Sequence, residues 1–379
     1  MAVERLLPTT EARELIQLTR DIADKVLTPI VDEHERAETY PDGVFATLGE
    51  AGLLSLPYPV EWGGGGQPYE VYLQVLEEIA ARWAAIAVAV SVHSQACHPL
   101  LAFGTEEQKR RWLPEMLGGN TIGAYSLSEP QAGSDAAAVA CKAARVDGGY
   151  LVNGTKAWIT HGGIADFCNL FARTGEGSRG ISCFLVPRET TGLTFGKPEQ
   201  KMGLHAVPTT TAHYDDAFLP VERRIGTEGQ GLQIALSALD SGRLGIAAVA
   251  TGLAQAALDE AVAYAKERTA FGKPIIDHQG LGFLLADMAA AVDSARATYL
   301  DAARRRDAGL TYSRQASVAK LIATDAAMKV TIDAVQVFGG YGYTRDFRVE
   351  RYMREAKITQ IFEGTNQIQR LVIARSLAQ

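Results

Sequence analysis

The chain has 379 residues, of which 47% are hydrophobic and 21% are charged, and this is the composition of a folded globular protein. Its net charge of -7 excludes a general basic surface for nucleic acid or for an anionic membrane, so an anionic ligand would need a local group of cations. A chain of this length is expected to form about two or three domains.

The cysteines and the N-terminal segment indicate the compartment. The four cysteines lie far apart without metal-type spacing, which favours reduced and mostly buried thiols: Cys97, Cys141, Cys168 and Cys183. The first 20 residues include acidic side chains and lack the apolar segment of a signal peptide. No run approaches 18 uncharged apolar residues, so we expect a soluble, cytoplasmic protein without integral membrane association.

Helical patterns dominate residues 1–120, which are predicted to form an N-terminal α-helical domain. Thr10 begins a helix over residues 11–26, where apolar side chains recur at intervals of three and four. Further helices are predicted over residues 43–51, 69–93 and 106–116. The glycine run at 63–66 lacks the Gly-Lys-Ser/Thr continuation of a phosphate loop, so it is interpreted as a flexible connection.

Residues 121–229 show short alternating runs interrupted by Gly, Pro, Asn and Asp, which predict a middle β domain. Asn153 and Gly154 stand between two β-type runs within residues 150–160 and predict a tight hairpin there, since both turn positions tolerate positive φ. Residues 181–186 and 209–214 are expected to be further strands.

Long helices return in residues 230–379, with apolar periodicity over residues 232–268, 282–306 and 313–338. Helices of this length need mutual burial, so an antiparallel bundle is expected. The predicted fold class is therefore α+β and multidomain, with an N-terminal α-helical domain, a middle β domain and a C-terminal helical bundle.

Two segments of the β region carry candidate ligand-binding groups. Residues 125–135, YSLSEPQAGSD, combine hydroxyls with free backbone N–H groups where a strand ends, and these can bind a polar ring edge or phosphate oxygens. An ordinary turn is the alternative interpretation. Trp158 and Thr160 add an aromatic plane with a nearby hydroxyl, an arrangement that suits stacking on a flat heterocycle.

Five motifs together resemble the acyl-CoA dehydrogenase family: YSLSEPQAGSD, WIT, ERTAFGKPI followed by HQ, QVFGGYGYTRD, and Glu-Gly-Thr at 363–365. They occur in the family's order between about residues 11 and 376, and the short-chain and general bacterial members look nearest. The resemblance implies a helix, β-sandwich or barrel, four-helix-bundle architecture, usually in a homotetramer. It also implies an FAD enzyme of fatty acid β-oxidation that converts acyl-CoA to trans-2-enoyl-CoA and passes electrons to electron-transfer flavoprotein.

The resemblance further implies roles for individual residues. The flavin and its surroundings would contact Tyr125, Leu127, Ser128, Gly133, Ser134, Trp158, Ile159 and Thr160. Other parts of FAD would contact Arg268, Phe271, Gln279, Thr365, Asn366 and Gln367, and a neighbouring subunit would supply Gln336, Val337, Gly339 and Gly340. The CoA substrate would contact Ser134, Asp240, Arg243 and Gly364.

Glu363 is the candidate catalytic base. Apolar neighbours and bound substrate would remove its water and raise its pKa, whereas a solvated helix face is the alternative interpretation. Some relatives carry the base on the long helix, at a position that looks like Gly242 here, and glycine cannot act as a base. Phe362, His161 and Asn366 replace the tyrosine, asparagine and serine frequent in the family, which leaves the shape of the acyl pocket open.

Two other functions stay open at this point. An acyl-CoA oxidase or related flavin monooxygenase would use the same residues and pass its electrons to O2. A non-catalytic, ligand-binding member of the fold would lack FAD. The histidines are scattered without carboxylate or cysteine partners at metal-type spacing, so no metal site is expected.

Overall fold

A computed structural model of the protein describes residues 3–378. Its helices come first, one sheet follows, and further helices complete the chain, which confirms the predicted α+β class. The first six helices are α1 (Thr10–Ile22), α2 (Val31–Ala37), α3 (Val44–Glu50), α4 (Tyr69–Ala80), α5 (Ala84–Phe103) and α6 (Glu106–Leu117). Threonine side chains begin two of these helices, since Thr9 accepts from Ala12 N at 3.0 Å and Thr105 forms a capping box with Gln108.

The single helix predicted over residues 69–93 is wrong, because α4 and α5 are separate. The chain leaves the helix at Trp83, whose backbone is extended with φ -152. This turn allows the buried indole N–H of Trp83 to donate to Glu35 Oε1 at 2.8 Å. Apolar periodicity continues through the break and so conceals it.

The middle of the chain forms one eight-stranded sheet with the order β6-β7-β3-β2-β4-β5-β8, and β1 pairs with β4. Its strands are β1 (Gly123–Ser126), β2 (Lys142–Val146), β3 (Gly149–Thr160), β4 (Phe167–Arg173), β5 (Ile181–Pro187), β6 (Leu193–Phe195), β7 (Thr209–Pro220) and β8 (Arg224–Ile225). The strands predicted at 181–186 and 209–214 lie within β5 and β7.

The hairpin predicted at Asn153 and Gly154 is wrong, since both residues lie inside the continuous strand β3. Gly154 sits at a register shift, and a Cβ there would lie only 2.7 Å from Cys141 Cα, so the glycine allows close strand contact. The tight turn is at Asp147 and Gly148, between β2 and β3, where Gly148 has φ 74.

Between residue 230 and residue 378 the structure contains five α-helices and a small two-stranded ribbon, β9 (Thr269–Ala270) with β10 (Lys273–Pro274). The helices are α7 (Gly231–Glu267), α8 (Gln279–Asp307), α9 (Ser313–Phe338), α10 (Val349–Thr359) and α11 (Asn366–Leu377). Helix α7 is central, because it packs against α4, α5, α8 and α9. Gly252 permits this closeness, since a Cβ there would lie 2.3 Å from Glu77 O on α4.

The sequence was expected to contain no apolar run long enough to cross a membrane, and two helices of the structure correct that expectation. Helices α5 and α7 are each long and apolar enough to cross a membrane by length and composition, but 78% and 72% of their apolar windows are buried within the protein. They are therefore core helices of this fold. All four cysteines are free and buried, which confirms the prediction of reduced thiols.

Candidate active site

Glu363 lies in the turn between α10 and α11, where the backbone takes a left-handed conformation. Glu363 has φ 54 and Gly364 has φ 84, and Thr365 then caps α11 by accepting from Ile368 N at 3.3 Å. Gln369 fixes the turn, because its Nε2 donates to Glu363 O at 3.2 Å and to Gly364 O at 2.8 Å. A non-glycine residue in this conformation is strained, and such strain is typical of functional sites.

The Glu363 carboxylate meets two helices from other parts of the chain. Its Oε2 accepts from Gln95 Nε2 on α5 at 3.2 Å. It also lies against Gly242 on α7, where a Cβ would be only 2.5 Å from Oε2. Burial raises the pKa of Glu363 to about 7, although Arg243, Gln95 and Lys320 each oppose the rise. A carboxylate with a pKa near neutrality is a stronger base than one in water.

Lys320 on α9 supports the same turn and was not predicted from the sequence. Its buried ammonium donates to Gly364 O at 2.9 Å and to Asn366 Oδ1 at 2.8 Å. Burial lowers the pKa of Lys320 to about 7, and the nearby Glu363 charge opposes that decrease. The available signal was a charged residue on a helix face that otherwise carries small buried residues: Ala316, Ser317, Ala323, Thr324 and Ala327.

We expect Lys320→Met to shift the acidic limb of the pH profile of kcat/KM to higher pH by about one unit. The cation stabilises the charged form of Glu363, so its removal raises the pKa of that carboxyl. The measurement is the initial rate between pH 5.5 and 9. Lys329→Met is the matched control, because Lys329 lies on the same helix, is exposed and pairs with Asp333. A limb that stays in place would exclude this role for Lys320.

Two of the residues assigned to substrate lie close to this turn. Arg243 is buried, and its Nη1 donates to Asp240 Oδ1 at 2.7 Å. Asp240 also accepts from Ser313 Oγ at 3.0 Å, and burial raises the pKa of the Asp240 carboxyl. The structure therefore brings Asp240 and Arg243 together with Glu363 and Gly364, while Ser134 lies on the loop after β1.

A buried ion pair fixes the loop that follows β1. Lys156 Nζ on β3 donates to Glu129 Oε1 at 2.7 Å and to Leu127 O at 2.9 Å. The Glu129 carboxylate also accepts from the backbone of Ala140 and Cys141. This pair was not predicted from the sequence. It holds Leu127 in the interior and leaves Gly133 and Ser134 exposed, while Ser128 is half-buried.

The two aromatic residues near this loop face different environments. The Tyr125 hydroxyl donates to Ala235 O on α7 at 3.1 Å, and its ring packs against Phe171. Trp158 has φ 62 and is 64% exposed, because the register of β3 shifts between Lys156 and Ile159. Ile159 is buried and Thr160 is half-buried. An open indole face with a hydroxyl two residues away fits a flat heterocycle such as the FAD ring system.

The remaining residues assigned to the cofactor lie at the far end of α7. Arg268, Val337, Gly339 and Gly340 line a groove of about 520 Å³. Exposed positions nearby are Phe271, Gln279 and Gln336. Arg268 forms no ion pair or side-chain hydrogen bond within residues 3–378, and its guanidinium carbon lies 5.9 Å from the centre of the Tyr341 ring. A free guanidinium beside exposed glycine backbone fits phosphate oxygens.

Within one chain, this groove and the Glu363 turn are separate. Gly242 and Arg268 are 26 positions apart along α7, which is about 39 Å at 1.5 Å per residue. Of the three residues after Gly364, Thr365 caps a helix and Gln367 is exposed. The Asn366 side chain is buried and bonds to Lys320, Thr324 and Asp325.

Comparison with known proteins gives a consistent family. Three family models match the chain: acyl-CoA dehydrogenase N-terminal domain over residues 9–120, middle domain over 124–217 and C-terminal domain over 229–378. An acyl-CoA dehydrogenase of Bacillus subtilis is 44% identical over 97% of this chain and 98% of its own length.

Solved structures agree over the whole fold. Butyryl-CoA dehydrogenase from Megasphaera elsdenii has a TM-score of 0.97 and 38% identity, covering 99% of this chain and 100% of its own. A chain from a structure reported for the electron transferring flavoprotein of Acidaminococcus fermentans has a TM-score of 0.97 and 41% identity, with coverage of 99% and 100%. The chain therefore belongs to the acyl-CoA dehydrogenase family, whose members are FAD-dependent oxidoreductases.

Proposed function

We propose that this enzyme oxidises an acyl-CoA thioester to the trans-2-enoyl-CoA, with Glu363 removing the α-proton. The observation that carries the proposal is the environment of this carboxylate. It sits on a left-handed turn against Gly242 and Gln95, and burial raises its pKa to about 7. A base held this way suits proton removal from carbon, which requires a fixed position and a matched pKa.

The proton step needs a second group that stabilises the developing enolate oxygen. The backbone N–H of Glu363 suits this role, since it donates no hydrogen bond within residues 3–378. The thioester carbonyl would accept from that N–H while Glu363 Oε takes the proton from the adjacent carbon. Gly364 adds no side chain to the same turn, which leaves room for the acyl group.

FAD, when bound, supplies the two-electron acceptor for the β-hydrogen. In the proposal, Trp158, Thr160 and the loop with Ser128 and Ser134 hold its ring system and exclude water from it. The groove with Arg268 lies about 39 Å along α7 from Gly242, which is beside the proposed base. We therefore propose that a second copy supplies Arg268, Phe271, Gln279 and the 336–340 segment, as expected of a homotetramer.

A dehydrogenase and the alternative oxidase differ in their electron acceptor, which is electron-transfer flavoprotein for the first and O2 for the second. The likeness to a chain from a structure reported for an electron transferring flavoprotein supports that protein as the partner. The test is anaerobic mixing of the yellow, FAD-loaded protein with acyl-CoA, where we expect the flavin absorbance to bleach. Electron-transfer flavoprotein should then restore the colour faster than O2 does. Rapid peroxide formation would favour the oxidase, and a colourless protein that binds no FAD would refute the proposal.

The proposed base predicts a specific pH dependence. Only the ionised form of Glu363 accepts a proton, so kcat/KM should rise about tenfold per pH unit below pH 7 and level off above it. The limb lies near pH 7 because burial raises the pKa of this carboxyl from its ordinary value of 4.5. Initial rates from pH 5 to 9 measure it. A limb near pH 4.5 would mean that the base is exposed to solvent.

A further inference from the structure

His205 lies where the loop between β6 and β7 meets helix α2. Its ring is placed between two main-chain carbonyl groups, with Nδ1 3.0 Å from Glu35 O and Nε2 2.8 Å from Lys201 O. A carbonyl oxygen can only accept a hydrogen bond, and a neutral imidazole has one N–H to donate. Both hydrogen bonds therefore form only when the ring carries a proton on each nitrogen. The geometry selects the charged imidazolium.

The surroundings on α2 favour the same charged form. Glu35 O belongs to the last turn of this helix, where carbonyl groups lack partners in a following turn and accept from cationic side chains. The Glu38 carboxylate lies 3.9 Å from the ring, measured from Oε1 to Nδ1. The Glu35 carboxylate also accepts from His205 N at 2.9 Å. Histidine and glutamate therefore hold each other through both their side chains and their main chains.

The remaining charged groups near this loop lie on the loop itself and on α10: Lys201, Glu350, Arg354 and Glu355. Lys201 Nζ donates to main-chain oxygens of the same loop, and Arg354 Nη1 donates to Met202 O at 2.7 Å. Burial lowers the pKa of Lys201 to about 8 and raises that of Glu355 to about 8. Both groups therefore titrate close to the range of histidine, and a test of His205 has to keep them unchanged.

The backbone of the loop is strained where it carries His205. Leu204 directly precedes the histidine and is buried with φ 55, a left-handed conformation that is unfavourable for leucine. Gly203 packs so closely on α10 that a Cβ there would lie 3.0 Å from Glu355 N. Such conformations persist only where the surrounding structure holds them. The hydrogen bonds of His205 supply part of that support.

The loop continues directly into the part of the sheet that is proposed to face the flavin. Pro208 O accepts from His161 N at 2.9 Å. Thr209, the first residue of β7, pairs with Thr160 at the end of β3. The position of residues 201–208 therefore determines where the end of β3 lies.

We propose that His205 is a positioning residue for the cofactor: as the imidazolium it holds residues 201–208 against α2 and so fixes the end of β3 at Trp158 and Thr160. The inference rests on the proposed function, because it places the flavin ring at those two residues. Histidine is the side chain that changes charge between pH 5 and 8. The folded protein holds the protonated ring, so its contribution is complete at low pH and is lost as the pH rises through that range.

The first experiment heats the FAD-loaded protein at pH 6 and at pH 8.5 and detects the released FAD by its fluorescence. We expect the release temperature of the wild type to fall about 2 to 4 °C more over this interval than that of His205→Arg. The guanidinium stays charged at both pH values and can donate to both carbonyl groups. Lys201 and Glu355 are the same in the two proteins, so the difference between them reports His205.

Two further variants separate the charge of the ring from its size. His205→Gln is uncharged and should release FAD at the lower temperature at both pH values. His213→Gln is the matched control, because the ring of His213 lies between the hydroxyls of Thr155 and Thr211, at 3.2 and 3.1 Å. A hydroxyl can donate as well as accept, so a neutral ring satisfies both. The control should therefore follow the wild type.

The second experiment dilutes the FAD-loaded proteins and determines Kd from the FAD that each retains. Between pH 6 and pH 8.5 the wild-type Kd should rise about tenfold more than that of His205→Arg, the effect of one lost hydrogen bond to a charged group. If His205→Gln does not fold, this pair still decides the question. A yellow protein that no acyl-CoA bleaches would refute the proposed function alone, since both experiments omit substrate. An equal pH dependence in the wild type and His205→Arg, or an equal loss in His213→Gln and His205→Gln, would overturn the inference.

Discussion

Replacing Glu363 by glutamine is expected to lower kcat for flavin reduction by about 10³- to 10⁴-fold, the upper part of the range that general base catalysis contributes. The amide has the size of the carboxyl group and can still contact Gln95, so the turn should keep its shape. It cannot accept a proton from carbon. Affinity for the thioester should therefore change little while turnover is lost, which stopped-flow absorbance and calorimetry measure separately.

Glu355→Gln is the matched control for that variant. Glu355 on α10 is buried, and burial raises its pKa to about 8, so glutamine resembles its neutral form. Its Oε1 lies 3.6 Å from Arg351 Nε, and Glu355 does not line the cleft beside Gly242 and Gln95. We expect the control to keep turnover within about threefold of wild type. Substantial turnover in Glu363→Gln, or equal loss in both variants, would show that Glu363 is not the base.

Much of the fold could be predicted because long apolar periodicities determine it. The helix predicted over residues 313–338 matches α9, Ser313–Phe338, since the apolar periodicity continues to Phe338 and Gly339 follows it with φ 60. The errors arose where one sequence pattern is compatible with two different local structures. Asn153-Gly154 and Asp147-Gly148 both suit a tight turn, and only the pairing of β3 with β7 decides between them. The break at Trp83 depends on its tertiary contact with Glu35, which no local pattern contains.

The partners of the candidate base could not be predicted, although Glu363 itself was identified. Gln95 lies 268 positions before Glu363, and Lys320 lies 44 positions before Gly364. Each is an ordinary polar residue in its own helix. Their role follows only from the packing of α5, α7 and α9 around one turn. In the same way, the distance between Gly242 and Arg268 follows from α7 being one continuous helix of 37 residues.

The same packing predicts that the base can be moved to α7. A Cβ at Gly242 would point to within 2.5 Å of Glu363 Oε2, so a glutamate there can place its carboxylate in nearly the same volume once Glu363 is removed. Glu363→Gly alone should lose turnover as the glutamine variant does. Adding Gly242→Glu should recover about 10²-fold of kcat, because a base of suitable pKa again faces the α-carbon.

Recovery in the double variant should stay roughly 10-fold or more below wild type, because the carboxylate would approach from a flexible side chain rather than from the strained turn. Anaerobic flavin reduction measures it. Gly242→Gln with Glu363→Gly is the matched control, since it fills the same space without a base. If that control recovers equally, filled volume rather than proton transfer limits the rate. If neither variant recovers while both bind FAD and thioester, α7 does not face the α-carbon, and the position of the reacting carbon between Gly242 and Glu363 is wrong.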